Sequence, residues 1–264
     1  MITRNWTSDL QKFQEFLAKI PLNKYSGLSQ IKTVEQDLPK ELLPLELYYK
    51  YYWESTDFKS FDDIFEEYWM SKITHICKFI KKYFYGCSLQ FVEEGFKARL
   101  YRIWMSILTQ FHFQYLWNAT FTEKLESSAK LDAMGIDAIV NLYIKNITKK
   151  VAFQIKKVSY RREASERRFT SRQQKYADII VEVPYLVIDE QELANKLNNP
   201  HVRQITKNEY SRMLTFFKQN FTRYPNGFVV FNESYLNNIY NLIHTKLGND
   251  QTIKRIEYKE IQKL

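Results

Sequence analysis

Leu131-Asp-Ala-Met-Gly-Ile-Asp137-Ala-Ile-Val-Asn-Leu-Tyr-Ile144 and Val151-Ala-Phe-Gln-Ile-Lys-Lys157 are the stretches whose reading decides the fold. Gly135 to Ile144 is rich in β-branched and aromatic residues and predicts a strand with Asp137 near its start. Val151 to Lys157 predicts a second strand, and the polar Asn146 to Lys150 between them predicts the turn of a hairpin. Side chains two apart on a strand share a face, so Gln154 and Lys156 are expected together. A chain folding back across that turn brings Asp137 to the neighbouring strand beside them. The spacing therefore gathers a carboxylate, an amide oxygen, the backbone carbonyl of Ile155 and an ammonium group.

Those donors suit a hard cation. Mg²⁺ prefers oxygen ligands, keeps several waters and usually takes one or two carboxylates plus substrate phosphate. Asp137, Gln154 and the Ile155 carbonyl offer a partial shell of that kind, and Lys156 is placed to hydrogen-bond an attacking water or to stabilise charge on a phosphorane-like transition state. A neutral Gln154 is a weaker ligand than a glutamate, so a second acid is expected close by. Asp132, five residues before Asp137, is the leading candidate. The same spacing also fits Gln154 and Lys156 facing solvent on an edge strand.

Outward from the hairpin, the period is helical on the N-terminal side. Trp6 to Ile20, Glu41 to Trp53 and Phe61 to Phe84 repeat apolar residues at helical spacing, with Thr7, Ser8 and Asp9 as candidate caps and Gly86 as a stop. The aromatic run Tyr48-Tyr49-Lys50-Tyr51-Tyr52-Trp53 fits either helix packing or a base-stacking platform. Ser88 to Trp117 is a long helix, apolar over most of its circumference, with Gly95 as its weak point. Arg99, Arg102, Ser106 and Gln110 form one polar stripe on it, which suits a solvated face or a cleft whose arginines meet phosphate. After the hairpin, Ala177 to Val187 predicts a buried strand, Glu190 to Leu197 and Lys207 to Phe221 helices, Gly227 to Phe231 a fourth strand, and Glu233 to Leu247 a terminal helix. The expected architecture is a helical region at 1–87 packed on an α/β core at 88–264 with a mixed central sheet.

The chain has 264 residues and a net charge of +9. Its 45% hydrophobic content supplies a core, and 6 Gly and 6 Pro without biased tracts exclude collagenous and linker-like classes. Between Lys145 and Lys175 lie 11 basic and 2 acidic residues, while the other 233 carry 28 of each sign. All the excess charge is thus concentrated in one segment that begins its densest part at Lys156. Such a segment predicts a polyanion partner, nucleic acid before an anionic membrane. Lys157, Tyr160, Arg161, Arg162, Arg167, Arg168 and Arg172 are the candidate DNA contacts there, since arginine bonds phosphate or a guanine edge bidentately. A solvated basic helix is the plainer reading.

Other chemistries fit poorly. There is no G-x-x-x-x-G-K-[ST], no G-x-G-x-x-G and no H-E-x-x-H. The four histidines, His75, His112, His201 and His244, have no ligand spacing, and His112 reads as a core residue. Cys77 and Cys87 read as reduced core thiols. The longest uncharged run, Ile103 to Thr122, is interrupted by polar residues and reads as a buried helix instead of a span. The N-terminus reads as lacking a signal peptide, and a cytoplasmic protein is expected.

Several strings are rare enough to carry a resemblance: Ile31-Lys-Thr-Val-Glu-Gln-Asp-Leu-Pro39, Tyr83-Phe-Tyr-Gly-Cys-Ser88, Ala98-Arg-Leu-Tyr-Arg102, Thr109-Gln-Phe-His-Phe113, Leu131 to Ala138, Gln154-Ile-Lys-Lys157, Pro225-Asn-Gly-Phe-Val229 and Glu233-Ser-Tyr235. In these the chain resembles the TaqI restriction endonuclease family over nearly its whole length, the last ~25 residues excepted. The resemblance implies a type II restriction endonuclease with a PD-(D/E)XK-like nuclease core, Mg²⁺-dependent with Mn²⁺ as a substitute. It implies double-stranded DNA as substrate, 5′-TCGA-3′ cut after T to leave 5′-CG overhangs, a homodimer on a palindromic site, and a companion DNA methyltransferase. It places the family's active-site aspartates on Asp132 and Asp137 and its lysine on Lys156. Gln154 stands where many such nucleases have an acid, and Ile136 where they have Pro. From the residues alone, a structure-directed repair or junction nuclease and a non-catalytic basic DNA-binding module are the other readings.

Overall fold

A computed structural model describes residues 4–158, 173 and 175–263. The chain divides into two compact units, Met1–Tyr115 with Tyr224–Phe228, and Leu116–Arg223 with Val229–Leu264. The division falls inside a long helix, not at the expected 87/88.

The first unit is helical. Helix α1 (Trp6–Lys19) is capped by Asn5, whose side chain accepts from Ser8 N at 3.1 Å, so the cap precedes the predicted Thr7-Ser8-Asp9. Asp9 instead accepts from Arg4 Nε at 2.7 Å. Helix α2 (Leu45–Tyr49) runs into one wider turn at Lys50–Glu54, followed by α3 (Phe61–Tyr83) and α4 (Leu89–Thr120). Ser88 Oγ caps α4 by accepting from Phe91 N. The aromatic run packs inside this unit, with Tyr48, Tyr49, Tyr51, Tyr52 and Trp53 all buried. Buried polar tips are hydrogen-bonded, as burial requires: Tyr48 OH donates to Leu100 O at 3.0 Å, and Trp104 Nε1 donates to Tyr52 OH at 2.7 Å. Tyr115 OH donates to Tyr52 O at 2.7 Å. These bonds tie α4 as far as Tyr115 into the helical unit, which is why the boundary lies a helix later than the composition suggests.

Gly95 sits where α4 meets the segment at Thr33 and Val34. An added Cβ would lie 2.5 Å from Val34 Cγ2 and closer still to Thr33 Oγ1. Gly95→Ala is expected to lower stability by about 1–3 kcal/mol, although alanine favours a helix by about 1 kcal/mol. Thermal melting measures this, and a variant as stable as the parent would mean that the Thr33–Val34 segment yields freely.

The second unit carries the sheet. Helix α5 (Ala129–Asp132) precedes β1 (Ala138–Ile144), which pairs antiparallel with β2 (Ile147–Val158). The hairpin turn is two residues, Lys145 and Asn146, with φ of 46° and 67°, not the five-residue turn predicted. Two left-handed residues match the twist of the flanking strands, so pairing continues to Ile144–Ile147 and β2 starts earlier than the polar stretch implied. β2 pairs parallel with β3 (Ile179–Leu186), and β3 parallel with β6 (Arg255–Ile256), in the order β1-β2-β3-β6. β3 is buried along its whole length, as a strand covered on both faces should be.

Helices α6 (Glu190–Asn198) and α7 (Gln204–Asn220) lead to a small hairpin of β4 (Phe221–Arg223) and β5 (Val229–Phe231). The predicted fourth strand therefore belongs to a separate two-stranded sheet, and the fourth central strand is β6, too short to show a period. Helices α8 (Glu233–Asn249) and α9 (Tyr258–Ile261) pack on the central sheet, where Tyr235 OH donates to Pro184 O at 3.0 Å. The last turn of α4 adds Trp117, 5.0 Å from the Phe153 ring.

His112 is fully buried as expected, and burial pushes its imidazole down to about 3, so it stays neutral. Cys77 and Cys87 are free thiols but exposed, which corrects the core reading. Cys77 follows the buried Ile76 and turns off the packed face of α3, and Cys87 lies in the turn after Gly86. No helix among the described residues is long and apolar enough to cross a membrane.

Candidate active site

Asp132 ends α5, and a tight turn follows in which Gly135 N donates to Asp132 O at 2.7 Å and Ile136 N to Leu131 O at 3.0 Å. Gly135 has φ +77°, a conformation that side chains with a Cβ rarely adopt, and it reverses the chain into β1. Asp137 enters at the mouth of the hairpin, its N–H donating to Phe153 O at 3.0 Å. Ser127 Oγ donates to Asp137 O at 2.5 Å, so the backbone on both sides of the acid is held. Its carboxylate crosses to the next strand, where Oδ2 accepts from Ile155 N at 2.5 Å. Asp137, Gln154, Ile155 and Lys156 are thus brought together as the spacing predicted.

Asp137 is 7% exposed. Burial pushes its carboxyl well above the usual carboxylate range, the nearby charge of Asp132 pushes it further, and only the Ile155 N–H pulls it back. Asp132 is therefore within electrostatic reach of Asp137. Gln154 Nε2 donates to Gly135 O, which fixes the amide against the turn. Gln173 Nε2 reaches the same turn, donating to Met134 O at 3.2 Å and Gly135 O at 3.3 Å. Lys156 Nζ pairs with Glu182.

Among the described residues no three His, Cys, Asp or Glu side chains cluster as a metal cage. The oxygens present are two neighbouring carboxylates, an amide and a backbone carbonyl, the sparse set that Mg²⁺ accepts when phosphate and water complete its shell. A buried carboxyl raised by a second acid is also the electrostatic condition that a cation relieves. The donor set fits a divalent ion, with Asp132, Asp137, Gln154 and Ile155 as the groups to hold it.

The candidate DNA contacts fare differently. Lys157 is exposed on β2, one position beyond Lys156 and so on the opposite face. Tyr160, Arg161, Arg162, Arg167, Arg168 and Arg172 lie outside the described residues. Arg99 and Arg102 belong to the helical unit and serve its packing. Arg99 donates to the carbonyls of Val34 and Gln36, and Arg102 to Ile31 O at 2.6 Å with an ion pair to Glu35 at 2.5 Å. These two arginines of α4 thus hold down the 31–36 segment.

Glu182, Arg255 and Gln173 escaped the sequence reading. Glu182 had a signal, because it is the one acid in the apolar run Ile179 to Leu186. A charge in a strand buried on both faces needs a partner. Arg255 and Gln173 had none.

The TaqI restriction endonuclease family model matches residues 10–243. The chain is 41% identical over 236 residues to the type II restriction enzyme TaqI of Thermus aquaticus, covering 87% of this chain and 86% of that one. It is 40% identical over 240 residues to a type II restriction enzyme of Thermus thermophilus, covering 89% and 88%. No solved structure matches. With its family model spanning most of the sequence and these relatives aligned nearly end to end, the chain belongs to the TaqI restriction endonuclease family.

Proposed function

We propose that this chain is a Mg²⁺-dependent type II restriction endonuclease with a PD-(D/E)XK-like core, hydrolysing double-stranded DNA at the palindrome 5′-TCGA-3′ after T. The products are 5′-phosphates on 5′-CG overhangs. A homodimer reads the palindrome most simply, each copy placing one site on one strand. The companion methyltransferase and a cytoplasmic setting follow from the same reading, since an unmodified chromosome would be cut. The observation that carries it is the Asp137 carboxylate seated on the Ile155 N–H, beside Gln154 and Lys156 on one strand and within reach of Asp132.

Asp132, Asp137, the Gln154 amide oxygen and the Ile155 carbonyl are the groups that would hold the divalent ion. Such an ion supplies Lewis-acid polarisation of the phosphate and neutralises charge on the departing 3′ oxygen. The Ile155 N–H keeps the Asp137 carboxylate aimed, and the Gly135 carbonyl does the same for the Gln154 amide. Lys156 meets the scissile phosphate with its ammonium, hydrogen-bonding the attacking water or the oxygen on which charge develops. Arg161, Arg162, Arg167, Arg168 and Arg172 attract the backbone of the duplex.

The test is incubation of the purified protein with a sequenced plasmid, with and without Mg²⁺, followed by mapping of the ends. Discrete fragments with 5′-CG overhangs at every TCGA are expected, and only with the ion. Smears or a preference for branched DNA would point to a structure-directed nuclease. Salt-sensitive binding without any cleavage would point to a DNA-binding module.

A further inference from the structure

β3 is apolar around Glu182, which is 1% exposed. A carboxylate there is unfavourable unless it is paired and hydrogen-bonded. Its Oε1 takes both Lys156 Nζ and Arg255 Nη2, the latter at 2.5 Å, and its Oε2 faces Tyr258 N at 3.4 Å. The register sets Gln154 of β2 beside Glu182 of β3, so both side chains leave the same face of the sheet, and Lys156 follows one pleat on. The carboxylate thus stands beside the row formed by Asp137, Gln154 and Lys156, on the next strand of the same face. Arg255 and Tyr258 lie beyond the residues that the family model matches.

We infer that Glu182 is the positioning residue of this site, anchoring the Lys156 ammonium so that it meets the scissile phosphate in one orientation; this rests on the nuclease reading of Lys156. Three observations support it. First, lysine carries a compact charge on a flexible four-carbon stem, and a misplacement of about 1 Å at a reacting centre costs on the order of 10²-fold in rate. Second, the Glu182 carboxylate oxygens are already engaged by the Lys156 ammonium, the Arg255 guanidinium and the Tyr258 N–H, so Glu182 acts through Lys156. Third, Arg255 balances the buried charge, so the carboxylate can hold Lys156 without neutralising the site: two cations share one anion.

A buried ion cluster that served the fold alone would be replaceable by apolar side chains of similar volume at little cost in stability. The discriminating protein is therefore the double variant Glu182→Leu/Arg255→Met, with Glu182→Gln beside it because it keeps an acceptor for Tyr258 N–H. Each is taken through thermal melting, Mg²⁺-free binding to TCGA duplex, single-turnover cleavage with Mg²⁺, and acetic anhydride labelling of Lys156 followed by mass spectrometry without metal or DNA. The double variant is expected to stay folded and bind duplex within about threefold, yet cleave about 10²-fold more slowly. Lys156 should acylate at least about fivefold faster in it, and at least about twofold faster in Glu182→Gln, because the ammonium has lost its anchor. A folded variant that labels as slowly as the parent, or cleaves at the parent rate, overturns the inference. If the double variant fails to fold, the labelling and rate of Glu182→Gln decide in the same two directions. Should the parent itself not cut DNA, the nuclease reading fails while the labelling still reports whether Glu182 holds Lys156.

Discussion

Lys156→Ala is expected to lower single-turnover cleavage by at least about 10³-fold while duplex binding without divalent ion changes by no more than about threefold. The asymmetry follows from where the ammonium sits. Lys156 is one side chain among many basic groups available for the phosphate backbone, so its share of ground-state binding is small. In the proposed mechanism its share of the transition state is large, because there it would face charge that develops only in that state. The fold should survive, since Glu182 keeps its Arg255 partner when the lysine is gone. Quench-flow or gel assays under enzyme excess, with filter binding in parallel, measure both quantities. Cleavage near the parent rate would remove Lys156 from the reaction and with it the role assigned to β2.

Asp137→Asn should give the second large effect, and in two opposite directions. Cleavage is expected to fall by about 10³-fold or more, because an amide holds a divalent ion poorly and the charge stabilisation lost is worth several kcal/mol. Stability of the metal-free protein at neutral pH is expected to rise instead, with a melting temperature higher by about 2 °C or more. Burial and Asp132 hold the Asp137 carboxyl well above its ordinary range in the folded chain, so the folded state binds its proton more tightly than the unfolded state does. The contribution of Asp137 to stability is thus fully present below the ordinary aspartate value of about 4 and is lost as pH rises from there through the raised folded-state value. Asparagine carries no charge to bury and still offers Ile155 N–H an acceptor. Urea denaturation across pH measures the difference: the variant should lack that part of the slope. Added Mg²⁺ should stabilise the parent and leave the variant unchanged. A variant less stable than the parent at neutral pH would mean that the carboxylate is compensated in the metal-free protein.

The second effect describes an acid that is buried at a cost in stability. The acid is seated by a left-handed glycine turn and two backbone bonds before any cation arrives. Preorganisation of this kind is how a small set of groups can act together without reorganising during the reaction.

The juxtaposition of Asp137, Gln154 and Lys156 was legible because every relation among them is local. Strand alternation puts Gln154 and Lys156 on one face, and a hairpin brings Asp137 back to them whatever the turn length, since antiparallel neighbours need only a short connection. The same locality made the helices of the first unit readable, and the buried aromatic run resolved as packing because each ring found a partner nearby in the fold. Turn chemistry was not legible at Lys145, because nothing in a lysine announces a positive φ. Nor was the role of Arg99 and Arg102, whose partners are carbonyls of a segment more than 60 residues earlier.

From residues alone, then, came the juxtaposition within one strand pair and the family to which the chain belongs. The neighbours of that pair had to come from tertiary structure. Glu182 reaches Lys156 only through parallel register, and parallel strands are joined by long crossovers whose length says nothing about which residues end up side by side. Arg255 enters from a two-residue strand that pairs only because β3 offers it an edge. Spacing along the chain determines what lies within a hairpin, and burial across the sheet determines what charge must stand beside it.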